Sequence, residues 1–222
     1  MSKHLQKDIE SLKNKIIRMC ENVEDRVYRA TLSIIKHDEH IARDVIESDA
    51  EIDDMEVEIE EDCLRILALY QPVAVDLRFI ITVMKINNEL ERVGDLAVNI
   101  AERSVFLADK SDMEIPFDIS GMALLAESML TRSIDSLVNM DVRLAYRVRS
   151  EDDDVDAKNK EMYSNMKDAI SKNPEQINCL IHSLSVGRHL ERIADHATNI
   201  AEEVIYLINA EIVRHTPETF IE

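Results

Sequence analysis

The chain has 222 residues, enough for one large domain or two small ones. Only three Gly and four Pro accompany 45% apolar residues, and Trp is absent, which argues against a turn-rich β fold and for long helices around an aliphatic core. The formal net charge of −19, from 26 basic and 45 acidic residues, argues against bulk electrostatic attraction to nucleic acid or to an anionic membrane surface.

In chain order, apolar periodicity and punctuation predict helices over 3–37, 39–70 and 73–109, then 119–139, 141–171 and 174–212. Asp38 and Asp141 precede matching amphipathic runs as N-caps. Pro72 and Pro174 each open a helix, where a missing N–H costs nothing. The segment KSDMEIPFDISG, with Pro116 and Gly121, reads as a linker. Short connections make successive helices antiparallel. The expected fold is all-α, two tandem three-helix bundles formed by internal duplication, spanning 1–112 and 118–215. Cys20, Cys63 and Cys179 are scattered and odd in number, so reduced thiols are expected. The start MSKHLQKDIE does not resemble a signal peptide, and no apolar run is long enough to span a bilayer. A cytoplasmic protein with no direct membrane insertion is expected.

The duplication is most explicit at Leu90–Glu102 and Leu190–Glu202, where nine of thirteen letters are identical. They include Glu, Arg, Asp and Asn, which a core does not require. At about 100° per residue, Glu91, Asp95, Asn99 and Glu102 share one helical face. Glu191, Asp195, Asn199 and Glu202 do the same. A second acidic pair, D-x-x-[IV]-D, opens the middle helix of each half at Asp49/Asp53 and Asp152/Asp156. Each pair sits one turn apart and repels by a few tenths of a kcal/mol, roughly, in an isolated helix. A single such pair is ordinarily solvated. Antiparallel packing of the middle and last helices would join two pairs, and a cluster of four to six carboxylates needs cations. The donor chemistry suits a hard, oxygen-ligated, multinuclear metal site. His182, His189 and His196 fall away from this face and are expected to line a flank or a contact with another helix. Arg92 and Arg192 follow the glutamates in both halves. There is no Gly-rich phosphate loop, no H-E-x-x-H and no Glu-x-x-His, which disfavours the di-iron oxidase pattern.

YQPVAVDLR, MEVEIEEDCLRILALYQP, ELERVGDLAVNIAE and HLERIADHATNIAE together resemble the PhoU family of phosphate-uptake regulators, over nearly the whole chain. The resemblance implies two tandem three-helix bundles. It also implies a non-enzymatic, cytoplasmic negative regulator that couples the phosphate transporter ATPase to a Pho-type histidine kinase. It further implies multinuclear iron or zinc clusters on E(D)-x-x-x-D motifs. These fall on Asp49, Asp53, Glu91, Asp95, Asp152, Asp156, Glu191 and Asp195. Asn99, Glu102, Asn199 and Glu202, on the same helical faces, are expected as a second tier of ligands or supports. A homodimer is also expected. Ala194 stands where the first half has Gly94. The alternatives are a metal-dependent enzyme or metal store using the carboxylate clusters, and a plain helical scaffold whose acids are merely solvated.

Overall fold

The structure, a computed structural model, describes residues 3–110 and 115–214. Residues 111–114 of the predicted linker lie outside the described residues, as do 1–2 and 215–222 at the ends of the two predicted repeats. The described residues form eight α-helices and no strand. They are α1 (Lys3–Lys36), α2 (Glu39–Glu47), α3 (Asp49–Tyr70) and α4 (Ala74–Ala108), then α5 (Ile119–Asn139), α6 (Val142–Ser150), α7 (Asp152–Lys172) and α8 (Ile177–Asn209). A 3-10 turn at Pro174–Gln176 leads into α8.

The two halves repeat each other down to single hydrogen bonds. His37 and Met140 both take a left-handed turn, with φ of 52° and 53°. Asp38 N–H then donates to Ser33 O (3.0 Å), and Asp141 N–H to Ser136 O (2.9 Å). Each aspartate also caps the helix that follows: Asp38 accepts from His40 and Ile41, Asp141 from Arg143 and Leu144. α1 is thereby equivalent to α5, with positions offset by the same step that takes Asp38 to Asp141.

The structure corrects the expected middle helices. Neither 39–70 nor 141–171 is continuous; the first breaks at Ser48 and the second at Glu151. Neither break contains Gly or Pro. Both are held by an arginine from the first helix of the same half. Arg26 donates through Nη2 to Ser48 O, while Arg132 grips the Glu151 carboxylate with both terminal nitrogens, Nη1 at 2.6 Å. α8 also ends at Asn209, short of the expected 212, where Ala210 turns left-handed at φ 61°.

The halves do not stand apart. One apolar core runs through both, built from α1, α4, α5 and α8. α4 and α8 lie antiparallel against each other. Arg78, early in α4, donates to Leu207 O (2.9 Å) late in α8, while Phe106, late in α4, stacks on His182, early in α8, with centroids 3.8 Å apart. Ala97, Ala101, Ala197 and Ala201 are fully buried, so the helices approach closely. Two of the three histidines, His182 and His196, meet α4 in this contact. The α1–α5 contact adds a hydrogen bond from Thr31 to Glu127.

Because the core is shared, the two repeats are expected to unfold as one cooperative unit. Leu90 and Leu190 are both fully buried. Leu90→Ala and Leu190→Ala should each cost about 2–5 kcal/mol and shift the same single urea transition, followed by circular dichroism. Two separate transitions, each moved by one variant only, would contradict the shared core.

Candidate metal centre

The break in each middle helix places the first carboxylate of an acidic pair in the first turn of a new helix. Asp49 opens α3, and Asp152 opens α7. A helix N-terminus carries partial positive charge and favours carboxylates there. Asp53 and Asp156 lie one turn further along.

α3 packs on α4, and α7 on α8. In the first half this brings carboxylate oxygens of Asp49, Asp53 and Asp95 within 4.8 Å of one another. Glu91 stands at the edge of the same seam, with Glu56 of α3 bearing on it. In the second half Asp152 and Asp156 of α7 face Glu191 and Asp195 of α8 closely enough for their charges to act on both. The four acidic pairs singled out in the sequence thus assemble into two seams, one per repeat.

Water is partly excluded from both. Asp95 and Asp195 keep a solvent-exposed edge, but the protein packed around each strips part of its hydration. That burial is the largest effect pushing the Asp95 carboxyl above its usual range; Asp49 and Asp53 add to it, while Arg92 and Arg26 oppose it. Glu91 rises for the same first reason, with Asp95 as the next contributor. Glu191 is raised by burial and then by Asp156. Asp195 is pushed up to about 6, by burial first and then by Glu191 and Asp152. Such clustered, partly dehydrated carboxylates either hold protons or attract cations.

Three groups at the seams were not singled out by the sequence. Arg26, 5% exposed, reaches the floor of the first seam from α1, its Nη1 3.4 Å from both Asp49 O and Asp49 Oδ1. Glu56 is the second. The third, Asn159, donates to Glu191 Oε1 (3.0 Å), leaving its own carbonyl oxygen buried without a hydrogen-bond partner. None of the three recurs in the other half, so the duplication gives no signal for them. Arg26 is equivalent to Met129, and Glu56 to Asn159.

The second tier scatters. Asn99 turns back to Asp95 O (2.8 Å). Glu102 lies 3.5 Å from neighbouring Arg103. Asn199 donates to Glu89 (3.1 Å), which also holds His196 Nδ1 at 2.6 Å. Glu202 sits 3.2 Å from Arg149 of α6. Asn199 and Glu202 therefore serve helix contacts rather than the carboxylate seam.

The residues present fit a metal. The converging donors of the first seam are carboxylate oxygens, with no sulfur or imidazole among them. The orphaned Asn159 oxygen adds a neutral oxygen donor beside the second. Oxygen-only sets select hard cations. Asp49, Asp53, Glu91 and Asp95 would hold one group, and Asp152, Asp156, Glu191 and Asp195 the other.

The family model described as the PhoU domain matches the chain twice, over residues 16–104 and 119–204. A relative from Aquifex aeolicus, named phosphate-specific transport system accessory protein PhoU homolog, is 39% identical over 94% of this chain and 95% of its own. The crystal structure of PhoU from Pseudomonas aeruginosa superposes with a TM-score of 0.89 at 33% identity, over 93% of this chain and 99% of that one. The crystal structure of the phosphate transport system regulatory protein PhoU from Streptococcus pneumoniae gives 0.83 at 28% identity, over 94% and 99%.

A carboxyl whose pKa is raised by folding stabilises the fold below its unfolded value and loses that contribution as pH rises through the folded value. For Asp195 that window runs from 3.8 to about 6. Metal-free protein should therefore lose melting temperature across it, and Asp195→Asn should flatten the loss. The check is Tm against pH in chelator for both proteins; a steeper fall in the variant would refute the assignment.

Proposed function

The chain belongs to the PhoU family, and we propose that it is a non-enzymatic accessory protein that restrains phosphate uptake and phosphate-starvation signalling. The observation that carries this reading is the tandem match of both repeats to the PhoU domain, on a fold superposable with two solved PhoU proteins. The names of the relatives support the link to a phosphate-specific transport system. On this reading the repeats at 1–112 and 118–215 act as an adaptor for the transporter ATPase in the cytoplasm. A histidine kinase as second partner, and a homodimer, rest on the family likeness alone. Among the described residues no helix is long and apolar enough to cross a membrane.

The two acidic seams are proposed as sites for multinuclear metal clusters. The all-oxygen donors support a hard cation over a closed structural zinc site, with iron or zinc implied by the family likeness. Bound only by the folded state, such ions would stabilise the fold by linkage. Their role here is structural and regulatory: they neutralise the carboxylates and fix α3 against α4 and α7 against α8.

Two outcomes test this reading. Cells lacking the protein should keep importing phosphate when phosphate is plentiful, measured as uptake of labelled phosphate; unchanged repression would sink the regulatory assignment. Independently, Asp95→Asn and Asp195→Asn should each lower the metal content of their own repeat in protein purified without chelator. They should leave helix content intact. Elemental analysis that returns the same stoichiometry for the double variant would mean that the acids are solvated.

A further inference from the structure

We propose that the groove between α4 and α8 holds a tetrahedral oxyanion, with orthophosphate as the probe, between Arg103 of α4 and His182 and His189 of α8. The inference goes beyond the regulatory reading and does not depend on it.

The two ends of this groove are built from corresponding positions. α4 and α8 match at an offset of 100 residues, as Leu90 matches Leu190. At about 100° per residue, Lys85, Glu89 and Arg103 share one flank of α4, and His182, His189, His196 and Glu203 share the same flank of α8. These flanks lie away from the faces that carry the acidic seams. At one end of the groove both carboxylates are matched within the chain. Lys85 Nζ reaches the buried Glu203 at 3.1 Å, and Arg214 joins it. Glu89 holds His196 Nδ1 at 2.6 Å and accepts from Asn199 at 3.1 Å.

At the other end the same positions reverse their chemistry. Arg103 stands in the place of Glu203, His189 in that of Glu89, and Ser185 in that of Lys85. Both carboxylates are gone, and a guanidinium and an imidazole replace them. Arg103 has Glu102 beside it at 3.5 Å, on its own helix and 49% exposed, which makes a weak partner. Arg103 Nε is buried without a hydrogen-bond partner, and so are His182 Nδ1 and His189 Nδ1. A buried donor without an acceptor is costly, so three such nitrogens mark a missing acceptor. Either imidazole can turn an N–H towards it by choice of tautomer.

The groups are gathered in one place. Phe106, one turn from Arg103, stacks on His182 with centroids 3.8 Å apart. The Arg103 charge acts on both imidazoles, and Arg188 and Arg192 add theirs at His189. Water would satisfy the N–H groups but leave the guanidinium charge unmatched. Guanidinium forks suit oxyanions. Donors that come from three side chains on two helices are met better by four tetrahedral oxygens than by the two oxygens of a planar carboxylate. The place is open to solvent, with the Arg103 side chain 32% and Phe106 40% exposed. The net charge of −19 does not forbid an anion here, because exposed charges more than about 8 Å away are largely screened at physiological salt. A bound oxyanion would tie α4 of one repeat to α8 of the other, as Glu89 and Glu203 do at the opposite end.

The experiment is equilibrium dialysis of the full chain against radiolabelled orthophosphate in chelator, so that no metal in the seams offers phosphate a second site. The wild type should bind one phosphate per chain, with Kd below about 1 mM. Arg103→Gln should weaken binding about tenfold or more, and Arg103→Lys, which keeps the charge, by less. His189→Glu, which installs the residue of position 89, should abolish it. Arg143→Gln removes an exposed cation of α6 and should leave Kd within about twofold. Sulfate should displace the label, and acetate should not. Helix content by circular dichroism shows that each variant is folded, and His182→Thr, the residue of position 82, repeats the test if Arg103→Gln or His189→Glu fails to fold. No saturable binding by the wild type up to about 10 mM would overturn the proposal. So would an unchanged Kd in the folded groove variants, or an equal loss in Arg143→Gln, which would mean diffuse attraction. Displacement by acetate as readily as by sulfate would overturn the tetrahedral assignment and mark the groove as a seat for a carboxylate.

Discussion

α4 and α8 are in contact with most of the other helices, and the antiparallel packing between them sets the frame for both seams. Each must satisfy three neighbours at once: the first helix of its own half, the broken middle helix, and its sister across the molecule. Small residues face the crowded centre, with Gly94, Ala97 and Ala101 in one helix and Ala194, Ala197 and Ala201 in the other, all buried. Polar bolts then fix register at the edges, through Glu89 to His196 and Asn199 and through Lys85 to the buried Glu203. Such bolts hold a close approach that is driven by apolar burial. With most of each helix committed to packing, one narrow face remains for chemistry. That face carries Glu91 and Asp95, or Glu191 and Asp195.

The broken middle helices do the rest. A continuous helix over 39–70 would carry Asp49 and Asp53 through its interior, with no helix end beside them. The break instead gives the carboxylates a fresh helix N-terminus, whose dipole offsets part of their repulsion. It also frees Ser48 O to accept from Arg26. The interruption of the helix and the assembly of the first seam are thus one event, held by one guanidinium.

Much of this was legible in the sequence, for reasons that mark where legibility ends. Duplication and periodicity revealed the helices, the two caps and the acidic faces, because those signals are local or written twice. The break at Ser48 has one local mark, the capping-box spacing of Ser48 and Glu51, which went unused. No Gly or Pro occupies this break or the one at Glu151, and each depends on an arginine some twenty residues upstream, on another helix. Asn199 and Glu202 were grouped with the acids because a helical wheel gives direction around an axis only. The seam covers about the first turns of α3 and α7; one or two turns beyond Asp195, α8 faces Glu89 and Arg149 instead. Arg26, Glu56 and Asn159 were invisible because each differs between the repeats, and a repeat shows only what is kept.

Those differences bear on how a duplicated protein can come to hold two unequal sites. Replacing Arg26 and Glu56 by an uncharged pair, as in Met129 and Asn159, leaves the formal charge of the seam unchanged. It changes the direction of the field inside it. The guanidinium in the floor draws on the Asp49 carboxylate, 3.4 Å from its Nη1. Asn159 offers instead a neutral, buried oxygen on an amide held by its bond to Glu191 and left without a partner. Electrostatic work depends on distance and burial rather than on totals. Two seams of equal formal charge therefore present different fields to their carboxylates, one with a guanidinium beneath Asp49 and the other with an amide on Glu191.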